Sequence, residues 1–388
     1  MAGPVRVLFT STPGSGHVHP LVPLALALRE RGEEVLWAAS EGTLPTLARA
    51  GLPAEKAGID FGAGPPPFDP AELVALPPRE RSTFIFSSVF AGVLVPAMLA
   101  DLVPIVERFR PHVLVHEVAE FAGAIAAAAA GVPSVTHALG RVMPAAQMTA
   151  ASEQLAGMWE ELGLEPAPYA GTYEHLYLDI CPPGLQSAEV EHVGRVQPLR
   201  PVAFGGTGDE PTPRWNSELA ALPLVYVTFG TTFAAAAAPV ATVLEGLREL
   251  PVRVLVTLGA GAEPDRYGEQ PENVHLARYI PQTEILPECS LVVSHAGSGT
   301  LLASLARGIR QLCIPLAADQ FHNAEACVAA GAGVSLSAEG LTPEALRTAA
   351  AGLLEDDRAG DAAARIAQEI ARMPAPAQVA DELARRFR

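Results

Sequence analysis

The chain has 388 residues, of which 49% are hydrophobic and 18% are charged, and its formal net charge is −17 at pH 7. At roughly 150 residues per domain this length corresponds to two domains, or three. The composition excludes a disordered chain, and the net-acidic balance disfavours a general nucleic-acid binder because both partners would be negative.

Membrane and export signals are weak. The apolar stretch at residues 121–135 has about 15 residues, which is short of the roughly 20 that a spanning helix needs. The first residues, MAGPVRVLFTSTPGSG, show no extended apolar run before a small-residue cleavage site. We therefore expect a cytoplasmic protein with no membrane span.

The cysteines, which form no Cys-x-x-Cys pair, are expected to be free buried thiols: Cys181, Cys289, Cys313 and Cys327.

The sequence lacks the residues that several common kinds of catalytic or binding site require. Lys56 is the single lysine, and it lies in a polar turn, so neither a P-loop nor a pyridoxal-phosphate lysine is expected. No Gly-x-Ser-x-Gly motif is present, which disfavours an α/β-hydrolase. The pairs His17/His19 and His112/His116 have no carboxylate or cysteine set at a usual spacing, so no metal site is expected.

The first half alternates strands and helices. Residues 5–10 (VRVLFT) predict a strand, STPGSGHVHP a turn, LVPLALALRERG a helix, and residues 35–38 the next strand. The pattern recurs with strands at 113–115 and from 133, separated by a helix at 121–130. This βαβ pattern predicts a parallel sheet.

A different region interrupts this pattern. Residues 62–78 are proline-rich and predict a surface loop with one short helical turn. The following STFIFSSVFAGVLVPAML is apolar on every side, so it should be buried or line a pocket.

The second half repeats the alternation. Residues 194–223 are rich in Gly and Pro and predict a linker. Strands are then predicted at 224–229, 253–258, 291–294 and 311–315, and the C-terminal 30 residues are predicted to be helical. Two similar wound domains with a cleft between them are therefore expected.

The strongest motif is SHAGSGT, which follows an apolar strand and precedes an apolar helix. Its glycines permit close approach of an anion, and the helix N-terminus supplies unpaired N–H groups and partial positive charge. A diphosphate is the ligand that this pattern favours, and a capped strand-to-helix turn is the structural alternative. The loop with Thr231 and Thr232 ends another strand and is a weaker candidate of the same kind.

His17 follows the first strand in the turn Gly14-Ser15-Gly16-His17. A histidine there can act as a general base near neutral pH, or can be a capping or exposed residue. A base needs an orienting carboxylate. Glu117 and Glu120 lie at the equivalent sheet edge, and Glu117 is preferred because it comes first after its strand.

Asp319 and Gln320 follow a later strand. A carboxylate beside an amide suits sugar hydroxyls, although a helix N-cap explains the pair equally well.

In this order the motifs resemble the GT-B glycosyltransferases, and more narrowly the bacterial natural-product branch of family 1. The matching segments are GHVHPLVPLALALRERGEEV, LVYVTFGTT, and the long block from RYIPQTEILPECS through SHAGSGT to ACVAAGAGVSL. Members decorate polyketides, enediynes, macrolides and similar aglycones with nucleotide-activated sugars.

The resemblance assigns roles by position. His17 matches the base that deprotonates the acceptor hydroxyl, and Glu117 stands where many members have the aspartate that orients it. The remaining matches form the donor site, where they meet the base, diphosphate and sugar of the nucleotide sugar: Gly16, Thr231, Thr232, Tyr279, Ile280, Gln282, His295, Gly297, Ser298, Gly299, Thr300, Asp319 and Gln320. Plant members usually carry a tryptophan where this chain has Tyr279.

The resemblance also implies the architecture. Two Rossmann-like domains are expected, an acceptor domain at 1–200 and a nucleotide-sugar domain at 223–370. A linker at 201–222 joins them, and a C-terminal helix at 371–388 crosses back onto the first. Candidate walls of the acceptor pocket, for which core packing is the alternative, are Phe84, Phe86, Phe90, Met143 and Met148.

The expected activity is inverting, metal-independent transfer of a (deoxy)sugar from a nucleoside diphosphate, TDP in most of this branch, to a hydroxyl of a hydrophobic aglycone. No cofactor beyond that co-substrate is implied. The alternatives are a nucleotide-sugar 2-epimerase and a non-catalytic activator of another transferase. The apolar segment at 84–100, and the intact His17 and HAGSGT, argue against them. The aglycone, O- versus C-glycosylation and the oligomeric state, a homodimer included, stay open.

Overall fold

The structure, a computed structural model, describes residues 3–61, 70–206, 210–230, 237–259 and 261–388. Its contacts divide the chain into two units. Unit 1 contains the described residues up to Cys181, together with Gln186–Phe204 and Met373–Arg388. Unit 2 contains Pro182–Leu185 and Gly205–Arg372. Most of the predicted linker therefore belongs to unit 2.

Unit 1 is built on a seven-stranded parallel sheet in the order β3-β2-β1-β4-β5-β6-β7. The strands are β1 (Arg6–Thr10), β2 (Glu34–Ala39), β3 (Ala54–Lys56), β4 (Val113–Glu117), β5 (Ser134–His137), β6 (Leu176–Asp179) and β7 (Val196–Pro198). Every residue of β4 and β5 is buried, as expected of central parallel strands covered on both faces.

Unit 2 has a six-stranded parallel sheet in the order β10-β9-β8-β11-β12-β13. The strands are β8 (Leu224–Thr228), β9 (Arg253–Thr257), β10 (Val274–Ala277), β11 (Cys289–Ser294), β12 (Arg310–Cys313) and β13 (Gly333–Ser335). Apolar side chains on one face of this sheet form a core with the helices that follow β8 and β13. Counted from its own first strand, each sheet has the 3-2-1-4-5-6 order of the doubly wound fold.

Sixteen α-helices are present in the described residues. In unit 1 they are α1 (Ser15–Val18), α2 (Val22–Glu30), α3 (Leu44–Arg49), α4 (Pro70–Ala75), α5 (Pro78–Ile85), α6 (Val95–Phe109), α7 (Ala122–Ala130), α8 (Ala145–Glu161) and α16 (Pro376–Arg386). In unit 2 they are α9 (Ser217–Ala220), α10 (Ala237–Leu247), α11 (Gln282–Ile285), α12 (Ser298–Leu305), α13 (Gln320–Ala329), α14 (Pro343–Glu355) and α15 (Asp357–Arg372).

The C-terminal helix α16 belongs to unit 1, whereas α15 before it belongs to unit 2. It packs on α2. Arg31, just after α2, forms an ion pair with Asp381 of α16, and Val379 and Leu383 of α16 are almost fully buried. Burial of these apolar side chains, more than the surface ion pair, holds the helix in place.

A π-helix spans Phe86–Leu94 and joins α5 to α6 without a break. Phe86, Ala91 and Leu94 are buried, which confirms that this all-apolar segment is not a surface helix. Within the described residues, the run Glu80–Phe109 is the one helix long and apolar enough to cross a membrane by length and composition. Residues 121–135, the apolar stretch considered in the sequence analysis, contain a single helix, the nine-residue α7.

Candidate functional site

In each sheet the site residues follow the two strands at which the strand order reverses. β1 pairs with β4 in unit 1, and β8 pairs with β11 in unit 2. Ligands of open α/β sheets bind beyond the carboxyl ends of strands at such switch points. His17 follows β1 and Glu117 ends β4, whereas Gly230 follows β8 and His295 follows β11.

His17 is held by a tight turn. Gly14 has φ +109°, a backbone conformation that favours glycine, and its carbonyl accepts the amide hydrogens of His17 and Val18. The turn at Gly14 begins the short helix α1 and places the imidazole of His17 near the end of β4. Its side chain is 22% exposed, so one edge of the ring is accessible to solvent or substrate.

Glu117 contacts His17 directly. The two atoms His17 Nδ1 and Glu117 Oε1 are 3.0 Å apart, and the Glu117 side chain is fully buried. Because Glu117 needs a donor at this contact, Nδ1 carries the hydrogen and Nε2 keeps the lone pair that a general base uses. The Glu side chain, one methylene longer than the aspartate of the resemblance, therefore reaches the imidazole.

Further donors fix the carboxylate of Glu117. Oε1 accepts from Thr12 Oγ1 at 2.6 Å, and Oε2 accepts from the Ala119 amide at 2.6 Å. Burial alone would raise the pKa of Glu117, but the His17 charge and the hydrogen bonds from His17, Thr12 and Ala119 outweigh it. The pKa of Glu117 therefore lies below its ordinary value. Glu117 is therefore anionic at neutral pH.

Glu120, the second acidic candidate, has a different environment. Its carboxylate accepts from the Ala122 and Gly123 amides, each at 2.9 Å, and from Thr10 Oγ1. Burial first, and then the charge of Glu117, raises the pKa of Glu120 to about 7. Glu120 therefore caps the N-terminus of α7, and Glu117 is the carboxylate that contacts His17.

Three other histidines of unit 1 are neutral at physiological pH. Burial lowers the pKa of His19, His116 and His137 to about 4 in each case. Such groups cannot exchange a proton efficiently near pH 7.

Aromatic side chains surround His17. The ring centre of Phe90 lies 5.3 Å from that of His17, and the Phe61 ring lies 5.4 Å from Phe90 in a T-shaped arrangement. A small pocket beside these rings is lined by Thr12, Pro13, Gly58, Ile59, Phe90, Leu94, Val95, Met98, Ala119 and Glu120. The pocket is largely apolar and adjoins the groups that hold Glu117.

The other predicted acceptor residues lie elsewhere. Phe86 stacks edge-to-face on Phe121 in the core, and Met148 is fully buried in α8. Phe84 and Met143 are half-buried, and the Met143 carbonyl accepts from His192. Of the five predicted residues, Phe90 is the one that lines the pocket. Leu94 and Met98, one and two turns further along the same helical run, were not predicted.

In unit 2, the His295 ring lies between two glycines. A Cβ at Gly297 would be 2.5 Å from His295 Nε2, and a Cβ at Gly230, where φ is +75°, would be 3.0 Å from the same atom. These positions therefore require glycine. Burial lowers the pKa of His295 more than the Asp319 charge raises it, so the ring is neutral near pH 7. Its buried Nδ1 has no hydrogen-bond partner among the described residues.

The helix α12 begins at Ser298, directly after Gly297, so its free N–H groups lie beside His295. Ser298 Oγ donates to Asp319 Oδ2 at 2.7 Å, which brings two predicted donor-site residues together. Gln282 Nε2 donates to Thr300 Oγ1 at 2.9 Å, which joins two more. Asn323, which the sequence analysis missed, donates to Asp319 Oδ2 at 2.8 Å. Its position one helical turn after Asp319 was the signal available in the sequence.

The remaining predicted residues have varied surroundings. Tyr279 OH donates to the Gly205 carbonyl, and the Ile280 side chain is buried in the core. Gln320 Oε1 accepts from the Leu316 and Ala317 amides at 2.8 and 2.9 Å, so it closes the loop after β12. Gly16 and Gly299 have open space around their Cα atoms. Thr231 and Thr232 lie outside the described residues. Within the described part of the chain, no three His, Cys, Asp or Glu side chains could together hold a metal ion.

Comparison with known proteins identifies the family. Residues 78–219 match the N-terminal domain, and residues 241–385 the C-terminal domain, of the family described as erythromycin biosynthesis protein CIII-like. The chain is 36% identical to an L-demethylnoviosyl transferase of Streptomyces niveus, covering 98% of both chains. It is 35% identical to the elloramycin glycosyltransferase ElmGT of Streptomyces olivaceus, covering 98% of this chain and 97% of that one.

A solved structure shows the same architecture. The spinosyn rhamnosyltransferase SpnG, complexed with thymidine diphosphate, superposes with a TM-score of 0.83 at 28% identity, covering 98% of this chain and all of the other. SpnG has also been solved with spinosyn aglycone. Fold and matches define a glycosyltransferase of the GT-B class that transfers hexosyl-type sugars. The chain belongs to the bacterial natural-product branch of family 1, whose members act in antibiotic biosynthesis.

Proposed function

We propose that this enzyme transfers a (deoxy)sugar from TDP to a hydroxyl of a hydrophobic natural-product aglycone, with inversion at the anomeric carbon. The observation that carries the proposal is the 3.0 Å contact between His17 Nδ1 and Glu117 Oε1. The relatives named above, with a thymidine diphosphate complex among them, support the donor class. We also propose a cytoplasmic location, as the sequence analysis expects.

In the proposed reaction, His17 Nε2 removes the proton of the acceptor hydroxyl as that oxygen attacks C1 of the sugar. Glu117 stabilises the imidazolium that forms, because the carboxylate is anionic and already bonded to Nδ1. The bond from C1 to the diphosphate oxygen breaks on the opposite face, which inverts the anomeric centre.

The leaving diphosphate gains negative charge as this bond breaks. The N-terminus of α12 supplies N–H groups and partial positive charge, and the neutral His295 supplies a further hydrogen bond. A Cβ at Gly230 or Gly297 would collide with the ring, so the two glycines permit the position of His295. We propose that the N–H groups of α12 and His295 replace a metal ion in this role.

The acceptor is proposed to lie along Phe90, with Phe61 and Met98 as further walls. Phe90 contacts the imidazole ring, so an aglycone packed on it would present its hydroxyl to His17. Aromatic and methionine walls suit a flat apolar molecule.

Calorimetric titration with TDP and with UDP, each with Mg²⁺ and with EDTA, tests the proposal. Micromolar binding of TDP that is indifferent to metal is expected. That result selects the donor series for an acceptor screen by mass spectrometry. Binding of UDP alone would reassign the donor. Binding of neither nucleotide would mean that the SHAGSGT turn is only structural.

A further inference from the structure

Two turns of unit 2 are strained at the carboxyl ends of neighbouring strands. Ala296 follows β11 with φ +62°, and Ala318 follows β12 with φ +55°. In the part of unit 2 that the structure describes, these are the two non-glycine residues in the left-handed region. Such conformations cost free energy and persist where other contacts hold them. Each turn is adjacent to a proposed donor-site residue, His295 in the first and Asp319 in the second.

One buried amide group joins the two turns. Asn323 Nδ2, in α13, donates to the Ala296 carbonyl and to Ser298 Oγ, each at 3.0 Å, and to Asp319 Oδ2 at 2.8 Å. Asn323 is 2% exposed, so water does not compete for these bonds. The amide therefore reaches the strained residue of one turn, the carboxylate of the other, and the serine that connects them.

These contacts leave Asp319 with one oxygen held and one oxygen available. Oδ2 accepts from both Ser298 Oγ and Asn323 Nδ2, at 2.7 and 2.8 Å. Among the described residues, nothing hydrogen-bonds Oδ1. Two donors on one oxygen fix the rotation of the carboxylate and hence the direction of the other oxygen.

We propose that Asn323 is a positioning residue for sugar transfer, which aims the free carboxylate oxygen of Asp319 at the hydroxyls of the donor sugar. The inference rests on the proposed function, because it requires a nucleotide sugar at this site. Asn323 acts through Asp319 and does not touch the substrate.

The chemistry explains why an asparagine occupies this position. All three partners of Nδ2 are oxygen acceptors, and the two hydrogens of a primary amide, one of them shared between two oxygens, serve them without adding charge. An aspartate would place a second carboxylate against Asp319 and the Ala296 carbonyl. A leucine would leave the Ala296 carbonyl without a side-chain donor in a buried turn.

A double-mutant cycle tests whether the two residues act as a unit. TDP and TDP-glucose are titrated calorimetrically into the full-length wild type, Asn323→Ala, Asp319→Ala and the double variant. We expect Asn323→Ala and Asp319→Ala each to weaken TDP-glucose about tenfold, and the double variant to be no weaker than Asp319→Ala. Affinity for TDP should fall less than about threefold in Asn323→Ala, because the sugar is absent.

Asn273→Ala is the matched control. The Asn273 amide also donates to two carbonyls, those of Arg248 and Val252, but it precedes β10 at the amino end of the sheet. This variant should lower the melting temperature and leave both affinities unchanged. If Asn323→Ala does not fold, Asn323→Ser, which retains one donor, takes its place in the cycle.

The outcomes separate the two claims. A wild type that binds neither ligand overturns the proposed function and this inference with it. If the wild type binds, the inference alone is overturned when the fold-losses of TDP-glucose affinity in the two single variants multiply in the double variant. The same holds if Asp319→Ala retains full affinity for TDP-glucose, or if Asn273→Ala loses as much affinity as Asn323→Ala.

Discussion

The switch points of the two sheets differ in their electrostatics although their strand order is the same. In unit 1 the buried carboxylate of Glu117 contacts the imidazole of His17, whose side chain is 22% exposed. In unit 2 the imidazole of His295 is buried, neutral and confined between Gly230 and Gly297. Two histidines at the switch points of similarly ordered sheets therefore differ in exposure and in hydrogen-bond partners.

The difference agrees with what we propose that each site binds. A base must change its charge during the reaction, so it needs a counter-charge and access to the acceptor. A diphosphate site must offer donors that stay fixed while negative charge grows, and a buried anion facing the ligand would weaken it. Asp319, the nearby carboxylate of unit 2, has one oxygen occupied by Ser298 and Asn323.

The largest effect is expected for His17→Ala. Loss of the base should lower the turnover of sugar transfer by roughly 10²- to 10⁴-fold, with TDP affinity unchanged because His295 and α12 are intact. Rates are measured with the acceptor found in the screen, and affinities by calorimetry. His19→Ala, which removes a neutral histidine next to the same short helix, is the control. Equal losses in the two variants would remove the special role of His17.

Glu117→Gln should have the next largest effect, about 10- to 100-fold on turnover, because the amide keeps the shape but loses the charge that stabilises the imidazolium. Glu120→Gln, which changes a carboxylate that does not contact His17, should keep the turnover of the wild type. Wild-type turnover in Glu117→Gln would separate the carboxylate from the base.

A smaller effect is expected when the glycines of unit 2 are changed. Gly297→Ala places a Cβ at 2.5 Å from His295 Nε2, so the ring must move, and TDP affinity should fall about tenfold. Gly352→Ala, in α14 with nothing within 4 Å of the added Cβ, should bind TDP like the wild type. Retained affinity in Gly297→Ala would show that the His295 position does not matter for the nucleotide.

The smallest effect concerns stability. Glu120 has a pKa raised to about 7, above the ordinary value of an unfolded glutamate. The folded state therefore binds this proton more tightly. Its contribution to stability is present below the unfolded pKa and is lost as the pH rises toward 7, by about 1 kcal/mol per pH unit. Urea unfolding at pH 5, 6 and 7 should show this slope in the wild type and a shallower one in Glu120→Gln. Parallel slopes would contradict the prediction.

The sequence predicts the central strands because each is a short apolar run, which indicates a buried strand whatever its neighbours are. β1, β4, β8 and β11 are of this kind, and they position the switch points. The edge strands β3 (AEK) and β7 (VQP) are three residues long and partly polar, so no periodicity marks them. Their pairing is decided by the neighbouring strand, which a local pattern does not contain.

The candidate site divides in the same way. The contact of His17 with Glu117 could be expected because both follow strands that neighbour each other in a doubly wound sheet. The sequence could not predict which phenylalanine faces His17, because that depends on how the helix that carries the phenylalanines is rotated about its axis. Phe90 faces the imidazole, whereas Phe86 faces the core. The side chains of the segment are apolar all round, so composition does not distinguish its faces.

The π-helix at Phe86–Leu94 gives the proposed acceptor wall a further way to change. Within it each turn holds about one residue more than an α-helical turn. Deleting a single residue would therefore convert one π-helical turn to an α-helical turn, which absorbs the lost residue and leaves α5 and α6 on their original faces. Side chains inside the segment would change places around Phe90, while Met98, β1 and β4 stayed where they are. A change in the length of this segment, and not a point substitution, is therefore the simplest way for such an enzyme to fit a different aglycone.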